Sequence, residues 1–311
     1  MTHLLRFGIM VLQNLPYPEW LERCQHVEAL GYDSVWVADH FVDPYVPAGH
    51  WYDGWTALAA LAAQTSKIHI GAMVTNIIYR NPAVFARQAL TVDHISNGRG
   101  VIAIGATSAR DPSHAMAGIP VWDTPERTRR FREFIEIVDQ MLRNPTTTYA
   151  GQYYQIKDAV LNPMPIQQPR PPLTVAAHGP TTLKIAAALA DSWNSFAKFG
   201  ASAEESLAIT RERNQMLDEF CAARGRDPQT IRRSFLSGLT ADKPFASTQA
   251  FHDYVGRYRE VGISEFIFYW LPNEGHPVMP EKGLNGVCIA NRDMLERIAN
   301  EAIPAIRAKG V

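Results

Sequence analysis

Short, almost uninterrupted apolar runs recur along the chain. Each is followed by a stretch in which apolar residues return every three or four positions. Eight such runs stand out: RFGIMV (6–11), SVWVAD (34–39), KIHIGAMVTN (67–76), GRGVIAIGAT (98–107), LTVAAHG (173–179), DSWNSFA (191–197), RRSFLSG (232–238) and EFIFYWLP (265–272). Continuous rather than alternating apolarity is the pattern of strands covered on both faces, as parallel strands are. Between them, PEWLERCQHVEALG places Trp20, Leu21, Cys24 and Val27 on one helical face and stops at Gly31. Asn81 caps NPAVFARQALTVDHISNG and Pro82 opens it. Thr124 reads as the cap of TPERTRRFREFIEIVDQML, whose buried stripe is Phe131, Phe134, Ile135, Val138 and Leu142. PTTLKIAAALA follows the fifth run, and further helices are expected near 203–224, 248–261 and 291–309.

Eight strand–helix alternations in this length predict an α/β fold, a (β/α)8 TIM barrel, over a doubly wound sheet. The spacing is uneven: roughly 65 residues separate the fourth run from the fifth. That gap holds one long helix and a hairpin, TTTYAGQYYQI, turning near Gly151, and it reads as an insertion between strands 4 and 5. The proline-rich NPMPIQQPRPPL comes next, and its Met164, Ile166 and Leu173 predict a segment laid along the barrel rather than a linker.

Composition adds bounds. A chain of 311 residues, 46% hydrophobic, can bury a large core in one α/β domain or two smaller ones. Thirty basic and 31 acidic residues give a net charge of -1, which does not predict a nucleic-acid surface. Cys24, Cys221 and Cys288 are isolated, with no CxxC spacing, and Cys24 falls in a helical stripe as a buried thiol. No run approaches a membrane span and MTHLLRFGIM lacks the form of a leader, so a soluble, cytoplasmic protein with no membrane partner is expected.

In a βα barrel the chemistry lies at the C-terminal strand ends. Here they supply Asp39-His40, Thr75-Asn76, Gly105-Ala106-Thr107-Ser108, His178-Gly179-Pro180-Thr181, Asn194-Ser195, Ser237-Gly238 and Trp270. This rim is polar, built of small residues and poor in charge. GxxxxGK(S/T), HExxH and GxSxG are absent, and no His–carboxylate cluster has the spacing of a metal site. Gly98-Arg99-Gly100 precedes a strand, so it is not a dinucleotide fingerprint. The rim instead offers an anion cradle: AAHGPTTLKIA runs from strand into helix, where free N–H groups and the Thr181 and Thr182 hydroxyls can hold a phosphate. The small residues of GATSA would let a flat ring approach closely.

At these motifs the chain resembles the bacterial luciferase-like superfamily of flavin and deazaflavin oxidoreductases. The resemblance rests on the order and spacing of GYDSVWVADH, GAMVTNIIYRNPAVFARQALTVDHISNGRGVIAIGAT, YAGQYYQI with LNPMPIQQPRPPLTVAAHGP, and KIAAALADSW. It is strong over roughly residues 6–200 and looser beyond, and it implies a single barrel domain over 1–311. ADH, VTNIIYRNPA and AAHGP look most like the branch that uses the deazaflavin coenzyme F420, with the FMN-using monooxygenase branch close by.

The resemblance implies a site. A bulged third strand with a non-prolyl cis peptide, placed at Ala72-Met73, would back the ring, and Thr75 and Asn76 would meet the ring edge or ribityl chain. Ala106, Thr107 and Ser108 would line the phosphate side, and His178, Gly179 and Thr181 would bind the phosphate. Asp39 would meet the ring's polar edge and His40 would stand near its reactive carbon. Hydride transfer to C=C or C=N needs a proton as well, and an imidazole can give or take it. As alternatives, His40 is a hydrogen-bonded loop residue and Asp39 a turn cap. Trp51, Tyr52 and Trp55 form either a pocket wall or interior packing. The arginines at 127, 129, 130 and 132 form a solvated helix face or a site for the cofactor's anionic tail, for which Arg80, Arg110 and Lys198 are further candidates. Sugar-phosphate dehydrogenases of the deazaflavin branch carry a glutamate where this chain has Ser108, and an aromatic where it has Pro44, which points to a different small-molecule substrate. The resemblance leaves three functions: an F420-dependent hydride-transfer enzyme, an FMN-dependent monooxygenase needing a flavin reductase partner, or a non-catalytic flavin-binding protein. A homodimer is common in the family.

Overall fold

The computed structural model describes residues 3–107, 111–271 and 291–308. The strands are β1 (Arg6–Val11), β2 (Ser34–Val37), β3 (His69–Ala72), β4 (Thr75–Asn76), β5 (Gly100–Gly105), β6 (Thr146–Ala150), β7 (Gln155–Val160), β8 (Leu173–Ala176), β9 (Ser192–Ser195), β10 (Arg232–Leu236) and β11 (Glu265–Trp270). The helices are α1 (Tyr17–Ala29), α2 (Gly54–Gln64), α3 (Pro82–Ile95), α4 (Ser113–Met116), α5 (Thr124–Arg143), α6 (Pro180–Leu189), α7 (Ala203–Ala222), α8 (Thr248–Glu260), α9 (Arg292–Arg297) and α10 (Ile303–Ala308).

Parallel pairing runs β3-β2-β1-β11-β10-β9-β8-β5, and β3 pairs back to β5, which closes an eight-stranded barrel. All eight apolar runs form its staves, and β4 continues the third stave beyond a break. That break holds a cis peptide between Met73 and Val74, one residue later than the expected Ala72-Met73. Met73 N–H still reaches Val37 O (2.8 Å), so the chain keeps its place beside β2 through Met73 and turns only afterwards. From there β4 pairs with β5 alone, Thr75 opposite Ile104 and Asn76 opposite Gly105.

Two apolar layers result. Phe7, Ile9, Val35, Val37, Ile70, Ile102 and Ile104 face outward onto the helices, while Met10, Trp36, Ala38, Met73, Ala103, Leu236 and Ile267 fill the barrel. Trp36 occupies the interior because two neighbours lack side chains. A Cβ on Gly8 would lie 2.8 Å from the indole nitrogen, and one on Gly71 would lie 2.7 Å from both the indole ring and Val101 O.

Between β5 and β8 lie α4, α5 and the antiparallel β6–β7 hairpin. Glu133 of α5 holds the turn by accepting from the N–H groups of Gln152, Tyr153 and Tyr154 (2.8, 2.9 and 3.1 Å). Arg130 is stacked between Trp122 and Tyr153 rather than solvated, its guanidinium 4.5 and 4.3 Å from the ring centres. The cap of α5 is Asp123, whose carboxylate accepts from Glu126 N (2.7 Å), and Thr124 is the first helical residue. Along the proline-rich segment Leu173 is fully buried, Met164 half-buried and Ile166 44% exposed, and polar groups anchor it as well. Buried Asp93 accepts from the backbone N–H of Ile166 (2.7 Å) and from the Gln167 side chain (2.7 Å). Arg170, with only 2% of its side chain exposed, joins Asp139 and Asp191. Cys24 and Cys221 are buried free thiols, and Cys288 lies outside the described residues. Among the described residues no helix is long and apolar enough to cross a membrane.

Candidate active site at the barrel mouth

The strand β2 ends against α2: a Cβ on Gly54 would sit 2.6 Å from Ala38 O, so the helix start packs directly on the strand tip. Buried Gln13, just past β1, donates to Ala38 O and accepts from Ala38 N–H (3.2 Å), which fixes the backbone immediately before Asp39-His40. The loop after the pair is equally constrained. Asp43 is buried and accepts from Tyr45 N (2.8 Å), Val46 N (3.1 Å) and the Asn14 side chain (3.2 Å). Trp51 Nε1 donates to His40 O (2.8 Å), and its ring lies edge-on to the imidazole at 6.2 Å.

Asp39 points inward, with 2% of its side chain exposed. Arg80 holds both its oxygens, one guanidinium N–H donating to Oδ1 at 3.0 Å and another to Oδ2, which also accepts from Asn76 N–H (2.8 Å). A buried carboxylate must be paired, and this pairing is complete. Arg80 is therefore committed to Asp39 and is not a free cation for an anionic tail. The carboxylate ties the loop just past β2 to the end of β4. Thr75 Oγ1 accepts from Trp55 Nε1 (3.2 Å), and Asn76 Oδ1 accepts from Ile78 N–H (3.2 Å), so both side chains brace the third stave. Ala72 is buried at the end of β3 with Met73 behind it. The Gly105 Cα faces Val74 so closely that a Cβ would come within 2.2 Å of its methyl group.

His40 points toward the outside of this knot. Its Nδ1 lies 2.6 Å from Asp111 Oδ2; 35% of the imidazole side chain is exposed but only 4% of the carboxylate. Asp111 Oδ1 accepts from Ser113 N–H (2.9 Å) and so starts the short α4. Burial pushes the Asp111 carboxyl up, but the hydrogen bond and charge of His40, with the Ser113 donors, outweigh it and hold the group at about 2. Asp111 escaped the sequence reading, because its partner is 71 positions away on another loop. Thr107, at φ 60°, leads into this loop, and its hydroxyl meets buried His114 Nε2 at 3.2 Å. Ala106 packs beside it on the outer core. Ser108 and Arg110 lie outside the described residues.

The other half of the expected site forms at β8. Gly179 precedes α6 with nothing within 4 Å of where a Cβ would stand. Its N–H faces Thr182 Oγ1 (3.3 Å), and Pro180 has no N–H, so the donors left at the helix start are Thr181 and Thr182 rather than Gly179. His178 lies edge-on to Phe196 at 4.6 Å and 3.4 Å from Arg213. Crowding first, and then the Arg213 charge, lower its imidazole pKa, but the residue remains solvent-exposed, which softens both effects. An open groove of about 580 Å³ continues from here, lined by His178, Phe196, Lys198, Phe199 and Arg213. Lys198 pairs with Glu205 at 2.8 Å, and Arg213 donates to the carbonyls of Phe196 (2.6 Å) and Ala197 (3.0 Å).

Comparison with known proteins agrees with this architecture. An F420-dependent glucose-6-phosphate dehydrogenase of Amycolatopsis mediterranei is 33% identical over 176 residues, covering 56% of this chain and 51% of the relative. A 5,10-methylenetetrahydromethanopterin reductase of Archaeoglobus fulgidus is 27% identical over 239 residues, 77% of this chain and 65% of the relative. The matches to the dehydrogenases span about half the length of those curated relatives. A solved F420-dependent secondary alcohol dehydrogenase shares the fold, with a TM-score of 0.79 at 18% identity over 98% of this chain and 100% of the other. The family model for luciferase-like monooxygenases matches residues 2–279, and the chain belongs to that family.

Proposed function

We propose that the protein is a coenzyme F420-dependent oxidoreductase that moves a hydride between the deazaflavin and a small organic substrate, with His40 as the acid/base. The observation that carries this reading is His40 itself: a half-open imidazole at a strand tip, anchored through Nδ1, so that Nε2 is the nitrogen turned to exchange. Relatives named as F420-dependent support the choice of cofactor.

The residues present fit such a group. The Thr181 and Thr182 amides at the start of α6, beside the open Gly179 backbone, would hold its phosphate. Met73 and Val74, pressed against Gly105, would back the ring, and the groove past Phe196 and Lys198 would take the anionic tail beyond the phosphate. When bound, the deazaflavin gives or accepts a hydride. His40 supplies or removes the accompanying proton at Nε2, and the Asp39–Arg80 pair keeps the third stave in position.

A sugar phosphate is not the proposed substrate. Ser108 and Pro44 replace the glutamate and aromatic of the sugar-phosphate enzymes. The second reading is an FMN-dependent monooxygenase with a separate flavin reductase, favoured by the family's own description. The phosphate cradle serves either cofactor.

Titrating the protein with each oxidised cofactor, and following quenching of its tryptophans, separates them. F420 is expected to bind at least tenfold more tightly than FMN, a difference of about 1.4 kcal/mol. The reverse ranking would transfer the protein to the monooxygenase reading.

A further inference from the structure

We infer that Asp111 is a positioning residue that fixes the His40 tautomer, with the proton on Nδ1 and Nε2 bare in the neutral ring. This rests on the reading of His40 as acid/base and adds to it a second residue, from a different loop.

The geometry is specific. Asp111 divides its two oxygens between two tasks: Oδ1 accepts from Ser113 N–H at 2.9 Å, and Oδ2 meets His40 Nδ1 at 2.6 Å. An ionised carboxylate only accepts hydrogen bonds, so the imidazole nitrogen facing it must carry the proton. A neutral His40 then exposes Nε2 as a base, and a protonated one exposes Nε2–H as an acid. Either direction of hydride transfer is served without turning the ring. Trp51 Nε1 on His40 O (2.8 Å) steadies the backbone, but it cannot choose the tautomer; only the Nδ1 partner can.

The same loop invites another assignment, in which Asp111 is the proton donor, as an acid after the fourth barrel strand. Its surroundings oppose this. The carboxyl is held at about 2, so near neutral pH it has no proton to give, and only 4% of the side-chain surface is exposed, against 35% of the imidazole. The substrate therefore meets His40, and Asp111 acts through it.

Asp111→Asn is the informative substitution. The amide oxygen can still accept from Ser113 N–H, so α4 keeps its start. The amide NH2 now faces Nδ1 and donates to it, which forces the proton onto Nε2. The ring nitrogens of His40 can be followed by 15N NMR in the protein without cofactor at about pH 9, well above the reference imidazole pKa of about 6.5. The His40 signal is assigned by its loss in His40→Ala.

The wild type is expected to be protonated on Nδ1 and Asp111→Asn on Nε2. In turnover, Asp111→Asn should lower kcat by about 10²- to 10⁴-fold, with KM and cofactor affinity within about threefold. A wild-type ring protonated on Nε2 would overturn the assignment whether or not Asp111→Asn folds. So would an unchanged tautomer in a folded Asp111→Asn, or a variant whose only change is in KM. The tautomer readout uses neither cofactor nor substrate. If it comes out as expected while F420 supports no turnover, the cofactor reading fails and the positioning role stands.

Discussion

At the scale of single residues, neighbours in sequence have separate structural roles. Asp39 and His40 are adjacent, yet one faces into the protein onto Arg80 and the other outward onto Asp111. Both lie just past the end of β2, where the chain is no longer a strand, and the two side chains diverge onto partners from different loops. Two substitutions should therefore behave differently. His40→Ala should lower kcat by about two to four orders of magnitude while cofactor affinity and melting temperature change little, which steady-state kinetics and thermal melts will show. Arg80→Met should instead destabilise the fold, by about 3–5 kcal/mol in urea unfolding, because it leaves the Asp39 carboxylate buried without its cation. If Arg80→Met melts like the wild type, Asp39 is not held as described. The Asp-His pair was legible because it ends an apolar run at a barrel's functional face. Its two partners were not: Arg80 and Asp111 lie 41 and 71 positions away, and no local pattern records which loops meet over the mouth.

At the scale of elements, the staves were legible and their interruptions were not. All eight runs coincide with strands because strands buried on both faces are written in apolar residues, and helix stripes such as Phe131, Phe134, Ile135, Val138 and Leu142 are fully buried. The break in the third stave falls inside one unbroken apolar run, so hydrophobicity does not mark it. Only the neighbours do, through Met73 N–H on Val37 O (2.8 Å) and Val74 against Gly105. The cap of α5 shifted by one residue for a similar reason: Asp123 and Thr124 both suit an N-cap, and the structure uses the one whose side chain reaches Glu126 N–H. Packing inside the barrel gives a sharp test. Gly71→Ala would place a methyl 2.7 Å from Val101 O, a backbone atom that cannot turn aside, and the same distance from the Trp36 ring. An overpacking loss of about 1–3 kcal/mol is expected in denaturant unfolding, with blunted near-ultraviolet dichroism from the displaced indole. Gly31→Ala, with nothing within 4 Å of the new methyl, strains only its own backbone at φ +78° and should leave the indole signal unchanged.

At the scale of the whole molecule, the two ends of the barrel surround their buried carboxyl groups differently. At the mouth, buried carboxylates have close partners: Asp39 pairs with Arg80, and Asp111 meets His40, which helps hold its pKa down. At the opposite end, Glu265 begins β11 with 6% of its surface exposed, beside a small polar cavity of about 140 Å³ that Arg6, Arg232, His69 and Asp33 also line. Burial pushes its carboxyl pKa up, and the charges of Arg232 and Arg6, with a hydrogen bond from Ser234, do not fully restore it. The shift fixes how stability depends on pH. A carboxyl whose folded pKa lies above its unfolded value favours folding while it is protonated, and that advantage is lost as pH rises through the folded pKa. Glu265→Gln removes the ionisation while keeping the shape, so its stability relative to the wild type should rise with pH across the window that starts at the unfolded value, about 4.3, and ends above the raised folded one. Urea unfolding at a series of pH values from about 4 to 8 reads this directly. The expected result is near-equal stability at the acid end and a more stable variant at the neutral end, with kcat unchanged because the residue is at the far end of the barrel from His40. A variant less stable than the wild type at pH 8 would mean that the ionised carboxylate is fully paired by Arg6 and Arg232, and that the lower end of the barrel handles charge as its mouth does.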